Sequence, residues 1–375
     1  MKKIFALLLA LCMVFALAAC GQSAAPAAQT SGVKVAMITD YGDITDQSFN
    51  QTTYEACKEY CEANKIDFKY YKPGSDSDDD RITMIENAIE EGFNVIVMPG
   101  YAFAPAIAAT APAHEDVTFI ALDVSEYDLT SAGLETLPAN LYSAVYQEEL
   151  CGYMAGYAAV KLGYKSLGFL GGMAVPAVVR YGYGFVQGVD AAAAELGLSD
   201  VTVNYAYGNQ FYGDADITAA MDTWYANGTE VVFACGGGIF TSAGEAAAKV
   251  GGKVIGVDVD QKGTIDGLYG EGMTVTSAMK GLAPTVKTML KVVVDGKFAD
   301  YGGKVENLGL VSANPEENYV QIPASTQFDA NFTAESYAAL VADMFAGKIT
   351  VSNDISKTAA DFATVITVND LGNLK

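Results

Sequence analysis

The chain reads as an α/β protein with two doubly wound parallel-sheet lobes joined by a multi-strand hinge. Three observations lead there. Short β-branched or apolar runs alternate with helical patterns through most of the sequence; repeated βαβ units imply parallel sheets covered by helices on both faces. The alternation comes in two series, one before and one after Asn140. The segments from Met273 onward are too few for a third domain. They most simply complete the two lobes, with the chain crossing between them more than once.

In the first series, residues 33–39 (VKVAMIT), 68–71, 95–98 (VIVM) and 117–122 (VTFIAL) read as strands. Helical patterns cover 48–64, 78–91 and 105–109. The 78–91 helix opens with acids at its positive end. In the second series, 141–146, 166–170 (SLGFL), 201–205, 231–234 and 254–257 (VIGV) read as strands. Helices are expected over 148–162, 181–196, 217–226 and 244–250. The remainder offers strands at 273–278, 305–311 and 349–351 and helices at 284–294 and 334–346. The expected division places 33–140 with about 281–303 in the first lobe, and 141–280 with about 304–375 in the second.

Ahead of this body, Lys2 and Lys3 precede an uncharged run over 4–19 that ends in Leu17-Ala18-Ala19-Cys20. That is too short and wrongly flanked for a membrane span, and residues 1–19 read as a secretory signal. Small residues before a Cys resemble the lipobox, the processing site of bacterial lipoproteins. The alternative is an ordinary cut at Ala-x-Ala with Cys20 incidental. The lipobox reading makes Cys20 the first mature residue, carrying lipid on its sulfur. Residues 20–32 then form a flexible tether, since GQSAAPAAQTSG has no charge and no aromatic residue. The expected location is the outer face of the cell membrane, attached by the lipid anchor. No other stretch approaches a spanning length of uncharged residues, which argues against a channel or permease.

The formal charge is -23 and the pI is near 4.2. Nucleic acid is an unsuitable partner, since its phosphates need a basic surface. Anionic headgroups are excluded by the same argument. After processing, Cys57, Cys61, Cys151 and Cys235 remain. Cys57 and Cys61 share a helix face, but no His or third Cys lies nearby, so they read as buried structural thiols. The single histidine, His114, precedes a strand in a surface-like segment, a poor place for a catalytic triad. HExxH, GxSxG and GxxxxGK[ST] are all absent. No enzyme activity, metal or cofactor is expected.

In doubly wound sheets, ligands bind outside the carboxyl ends of strands at the topological switch point. That rule selects Asp40, Tyr41, Gly42, Pro99, Gly100, Tyr101 and Asp123 in the first lobe. In the second it selects Gly171, Gly172, Met173, residues 208–212 with Phe211 and Tyr212, then Gly236, Gly237, Gly238 and Asp258. Carboxylates accept from sugar hydroxyls, aromatics stack on flat rings and glycines let backbone approach a ligand. Few cations occur there, which disfavours a phosphorylated ligand. Residues 75–80 (SDSDDD) suggest a calcium loop but lack the Gly and terminal Glu such a loop needs; an acidic helix cap is the better reading. Gly236 to Gly238 lacks the third glycine and acidic residue of a dinucleotide loop. Trp224 lies on an apolar helix face and is assigned to the core.

Residues 43–51 (DITDQSFNQ) resemble the opening motif of the basic membrane protein family. So do residues 168–173 (GFLGGM) followed by Pro176 and Arg180, residues 254–261 (VIGVDVDQ) and residues 276–280 (TSAMK). The resemblance covers nearly all of 33–350. Members of this family are lipoprotein substrate-binding components of ABC importers, often specific for purine nucleosides. The resemblance implies a type I periplasmic-binding fold, a purine nucleoside ligand, a permease partner and a monomeric receptor. It implies that the base is held between aromatics of opposite lobes, with Phe49 as the first and either Phe211 or Tyr212 as the second. Asp40, Asn50 and Asp123 match polar positions of the first lobe, and Asp46 lies in the opening motif. Asp258 and Lys280 match positions near the ribose. Three alternatives stand beside this reading: a receptor for a sugar or another flat-ring metabolite, a ligand sensor that does not transport, and a calcium-dependent nucleoside hydrolase using Asp76 to Asp80.

Overall fold

The computed structural model describes residues 32–375. The signal segment 1–19, Cys20 and the tether up to residue 31 lie outside the described residues. Val33–Lys375 forms one unit built on two sheets.

The first sheet contains β1 (Lys34–Ile38), β2 (Asp67–Tyr71), β3 (Val95–Pro99), β4 (Thr118–Leu122), β5 (Leu141–Tyr146) and β11 (Lys304–Leu308), in the order β11-β5-β4-β3-β1-β2. All its pairings are parallel. The second contains β6 (Ser166–Gly171), β7 (Thr202–Tyr207), β8 (Val231–Cys235), β9 (Lys253–Asp258), β10 (Thr274–Lys280), β12 (Val320–Gln321) and β13 (Thr367–Asn373), in the order β12-β10-β9-β8-β6-β7-β13. Only β12 runs antiparallel within it. The helices are α1 (Phe49–Asn64), α2 (Asp78–Glu90), α3 (Ala104–Thr110), α4 (Glu126–Ser131), α5 (Glu148–Lys161), α6 (Pro176–Leu196), α7 (Ala215–Ala226), α8 (Phe240–Val250), α9 (Lys262–Tyr269), α10 (Leu282–Val294) and α11 (Ala334–Phe345).

Every residue of β3 and β8 is buried, as expected for central parallel strands covered on both faces. Alternation along β1 sends Val35 and Met37 into one core cluster and Ala36 and Ile38 into another. Trp224 lies in the second lobe's core, with Ile217, Met221 and Val232. The pair α5 and α6 is joined through glycine. A Cβ on Gly152 would lie 2.2 Å from the Tyr181 carbonyl oxygen, and one on Gly184 would lie 2.1 Å from that of Glu149. No side chain fits at either crossing point. The acidic segment before α2 caps that helix: Ser77 Oγ accepts from the Asp80 N–H at 3.2 Å. Asp76 and Asp78 pair with the buried Arg81.

The structure differs from the sequence reading in several places. The expected division placed 141–146 and 304–311 in the second lobe. Instead β5 pairs with β4 and β11 pairs with β5, both in the first sheet. The chain crosses over after Tyr146, six residues beyond the expected point, because an apolar strand pattern does not say which sheet receives it. The stretch 349–351 is not a strand. The edge beside β7 is taken by β13, whose Asn369, Asp370 and Gly372 are poor strand formers. Finally, α6 begins at Pro176 and not at Tyr181; proline at the first helical position is compatible with helix initiation.

Among the described residues the chain passes between the lobes three times: from β5 to α5, from β10 to α10, and from β11 to β12. The three connections are bonded to one another. Gln147 N–H donates to the Leu308 carbonyl at 3.0 Å, Tyr319 N–H to that of Gly309 at 3.0 Å, and Gly281 N–H to that of Tyr319 at 2.7 Å. Both sheets reverse strand order at an internal point, between β1 and β3 and between β6 and β8. The carboxyl ends at these switch points face one cleft.

Candidate ligand-binding site

A cavity of about 520 Å³ lies in this cleft, with walls from both lobes. On the first lobe, Asp40 follows β1. Its Oδ1 accepts from the Tyr41 and Gly42 N–H groups at 2.7 and 2.6 Å and from Asn50 Nδ2 at 3.2 Å. Burial nevertheless raises its pKa above the usual carboxylate value. Asp46 organises the start of α1. Its Oδ1 accepts from the N–H groups of Ser48 and Gln51 and its Oδ2 from that of Asn50, at 2.9–3.0 Å. These are first-turn donors with no partner inside the helix. Asn50 Nδ2 is committed to Asp40 and Asp46. Its Oδ1 is buried without a partner among the described residues, so an acceptor remains for a ligand donor. Phe49, the first residue of α1, lines the cavity.

Three charged residues meet at the base of the cleft. Asp123 follows β4, Asp258 ends β9 and Lys280 ends β10. Lys280 Nζ lies 2.5 Å from Asp123, 3.4 Å from Glu148 and 3.7 Å from Asp258. It also sits 4.7 Å from the centre of the Phe49 ring. Burial alone would lower the lysine's pKa, but the three carboxylates hold it above its ordinary value. Asp123 is pushed up to about 6 by burial, against the pull of Lys280. Its Oδ1 is another buried acceptor with no partner among the described residues. Asp258 Oδ1 accepts from the Tyr181 hydroxyl at 3.2 Å and its Oδ2 from Ser48 Oγ at 2.5 Å.

The second lobe presents Phe211, Tyr212 and Gly237 to the cavity. Phe211 is half-buried and seated on glycine: a Cβ on Gly172 would lie 2.4 Å from its ring. Gly172 is not on the cavity wall. It lies behind Phe211 and makes room for it. Tyr212 is 59% exposed and stands at the rim. The site therefore brings together Asp40, Asp46, Phe49, Asn50, Asp123, Phe211, Tyr212, Gly237, Asp258 and Lys280, with Gly172 one layer removed.

The sequence reading assigned no role to Ser48, Glu148, Arg180 or Tyr181. Arg180 lines the cavity and its Nε donates to Glu148 Oε2 at 2.7 Å. Arg180 belongs to the family-like segment that begins at Gly168, but a helix started at Tyr181 leaves it outside the helix; starting at Pro176 places it in the second turn. Ser48 lay inside the quoted opening motif. The cavity wall carries Asp40, Asp43, Asp46, Asp123, Asp128 and Asp258 against Arg180 and Lys280. Both cations are already paired with carboxylates, an unfavourable setting for an anionic ligand.

Among proteins of known name, the chain is 28% identical over 324 residues to the ABC transporter nucleoside-binding protein BmpA of Lactococcus lactis, covering 80% of this chain and 87% of that one. It is 26% identical over 295 residues to basic membrane protein A of Borreliella burgdorferi, covering 76% and 80% respectively. In structure it resembles an ABC transporter solute-binding protein of Conexibacter woesei, with a TM-score of 0.66, 22% identity and coverage of 86% of this chain and 99% of that one. A solute-binding protein of Aeropyrum pernix gives a TM-score of 0.65 at 19% identity, with 88% and 90% covered. These neighbours establish the type I periplasmic-binding fold. The family described as ABC transporter substrate-binding protein PnrA-like matches residues 33–333. The chain belongs to that family, the basic membrane protein family, and is a substrate-binding component of an ABC transporter, not an enzyme.

Proposed function

We propose that this chain is a lipid-anchored receptor on the outer face of the cell membrane that captures a purine nucleoside and delivers it to an ABC permease. The observation that carries the reading is the pairing of chemistries in one cleft. Phe49 and Phe211 supply aromatic faces from opposite lobes, and Asp123 and Asp258 supply buried carboxylate acceptors at its base. A flat base suits the first pair and ribose hydroxyls suit the second. Phe211, braced on Gly172, is the better second stacking residue than the rim-exposed Tyr212. The acidic wall disfavours phosphate, so the dephosphorylated nucleoside fits. The nucleoside-binding name of the Lactococcus lactis relative points the same way.

Two measurements test this. Mass spectrometry of small molecules released on denaturing the purified protein should find a purine nucleoside. Guanosine, inosine or adenosine should raise thermal stability, because a ligand bound only by the native state adds about 2.7 kcal/mol at a hundred times its Kd. A larger shift with free ribose or galactose than with any nucleoside would instead identify a sugar receptor.

A further inference from the structure

Gln47 is held from both sides of the cleft. Within its own lobe, its N–H and its Nε2 both donate to Gln51 Oε1, at 3.1 and 2.9 Å. From the opposite lobe, Gln261 Nε2 donates to its carbonyl at 3.0 Å and Thr264 Oγ1 to its Oε1 at 3.1 Å. Its backbone has a φ of 58°, in the left-handed region uncommon for a residue other than glycine. Gln261 is equally constrained. It is 1% exposed, its Oε1 accepts from the Val257 N–H at 2.9 Å, and its own N–H donates to Ser277 Oγ at 3.2 Å. Its amide oxygen is thus committed to the end of β9 and its amide nitrogen to the other lobe. Neither Gln261 nor Thr264 lines the cavity.

Two other polar contacts between the lobes differ in kind. Ser48 to Asp258 and Lys280 to Asp123 use carboxylates on the cavity wall, so a ligand competes for or shares them. The two bonds to Gln47, which borders the cavity, come from Gln261 and Thr264, neither of which lines it, and use no carboxylate.

We propose that Gln261 and Thr264 are positioning residues whose bonds to Gln47 set the fraction of molecules with the cleft closed, and so scale affinity for every ligand by one common factor. Apparent Kd is the intrinsic value divided by the fraction of protein in the binding-competent state. A neutral hydrogen bond shifts an equilibrium about twofold to tenfold. The choice of probe rests on the nucleoside reading; the closure argument does not.

The test compares wild type with Thr264→Val, Thr264→Ser and Gln261→Met. Affinities are measured for guanosine and its 2′,3′-dideoxy analogue, with small-angle scattering of the free proteins. Thr264→Val should weaken both ligands by the same factor, roughly threefold to tenfold, and raise the radius of gyration of the free protein. Thr264→Ser retains the hydroxyl and should restore wild-type values. Gln261→Met should exceed the Thr264→Val effect, with its melting temperature measured to identify a folding defect. Unchanged affinity and scattering in Thr264→Val, or a loss confined to one ligand, would overturn the proposal. If wild type binds no nucleoside, the functional reading fails separately, and the scattering comparison still decides the closure role.

Discussion

Ser48 Oγ donates a 2.5 Å hydrogen bond to Asp258 Oδ2, joining the start of α1 in one lobe to the end of β9 in the other. Asp258 therefore has two jobs. It ties the lobes together, and it is placed to accept from ribose, since each carboxylate oxygen has two acceptor positions.

The two jobs are separable. Ser48→Ala removes the bond between lobes and leaves the carboxylate, and should weaken guanosine and its 2′,3′-dideoxy analogue alike, by a few-fold. Asp258→Ala removes both and should cost the ribonucleoside a further 10- to 100-fold, or about 1.5–3 kcal/mol for charge-assisted bonds. The dideoxy analogue should lose less. Equal losses for both ligands on Asp258→Ala, measured by calorimetric titration, would show that Asp258 does not hold the ribose.

The aromatic residues should act on the base whatever the sugar. Phe49→Ala and Phe211→Ala should each weaken all purine nucleosides by about 1–3 kcal/mol, the usual range for stacking. Tyr212→Ala, on the exposed rim, should change affinity far less. The reverse order in a fluorescence titration would move the second stacking position to Tyr212.

Stability should fall as the solution becomes more alkaline. Glu149 is buried, its Oε2 without a partner among the described residues, and burial, reinforced by the neighbouring Glu148 charge, pushes its pKa up to about 7 from 4.5. Between those values the folded state binds the extra proton. Stability is thus favoured in the acidic part of that window and lost as pH rises through 7. Glu149→Gln should flatten this dependence and stabilise the protein at pH 8 by roughly 1–3 kcal/mol. Denaturant melts at pH 5 and pH 8 check it, and parallel curves for variant and wild type would exclude Glu149 as the source.

The anchor is testable in cells. Cys20→Ser should move the protein from the membrane fraction to the soluble fraction, because the lipid-bearing sulfur is gone. A wild-type protein already soluble, with its mature N-terminus elsewhere, would remove the lipoprotein reading.

The βαβ order, the switch-point residues and the family motifs could all be read along the chain, because each depends on local pattern: buried parallel strands are continuous apolar runs, and Asp40, Asp123 and Asp258 directly follow or end such runs. Which sheet receives β5 and β11 could not, since strand pairing is a long-range choice that the same apolar pattern satisfies in either lobe. The roles of Gly172 and Arg180 were hidden for a related reason. Gly172 acts through the ring of Phe211, far along the sequence, that rests on it, and Arg180 acts from a helix turn whose start depends on how Pro176 is placed. The closeness of Ser48 to Asp258 and of Gln47 to Gln261 spans more than two hundred residues of sequence. Local propensity specified the strands and the acids at their ends. Only the docking of two sheets across three hinge crossings decided which of those acids meet, because hydrogen-bond geometry over 3 Å is set by packing between elements and not by the residues within one.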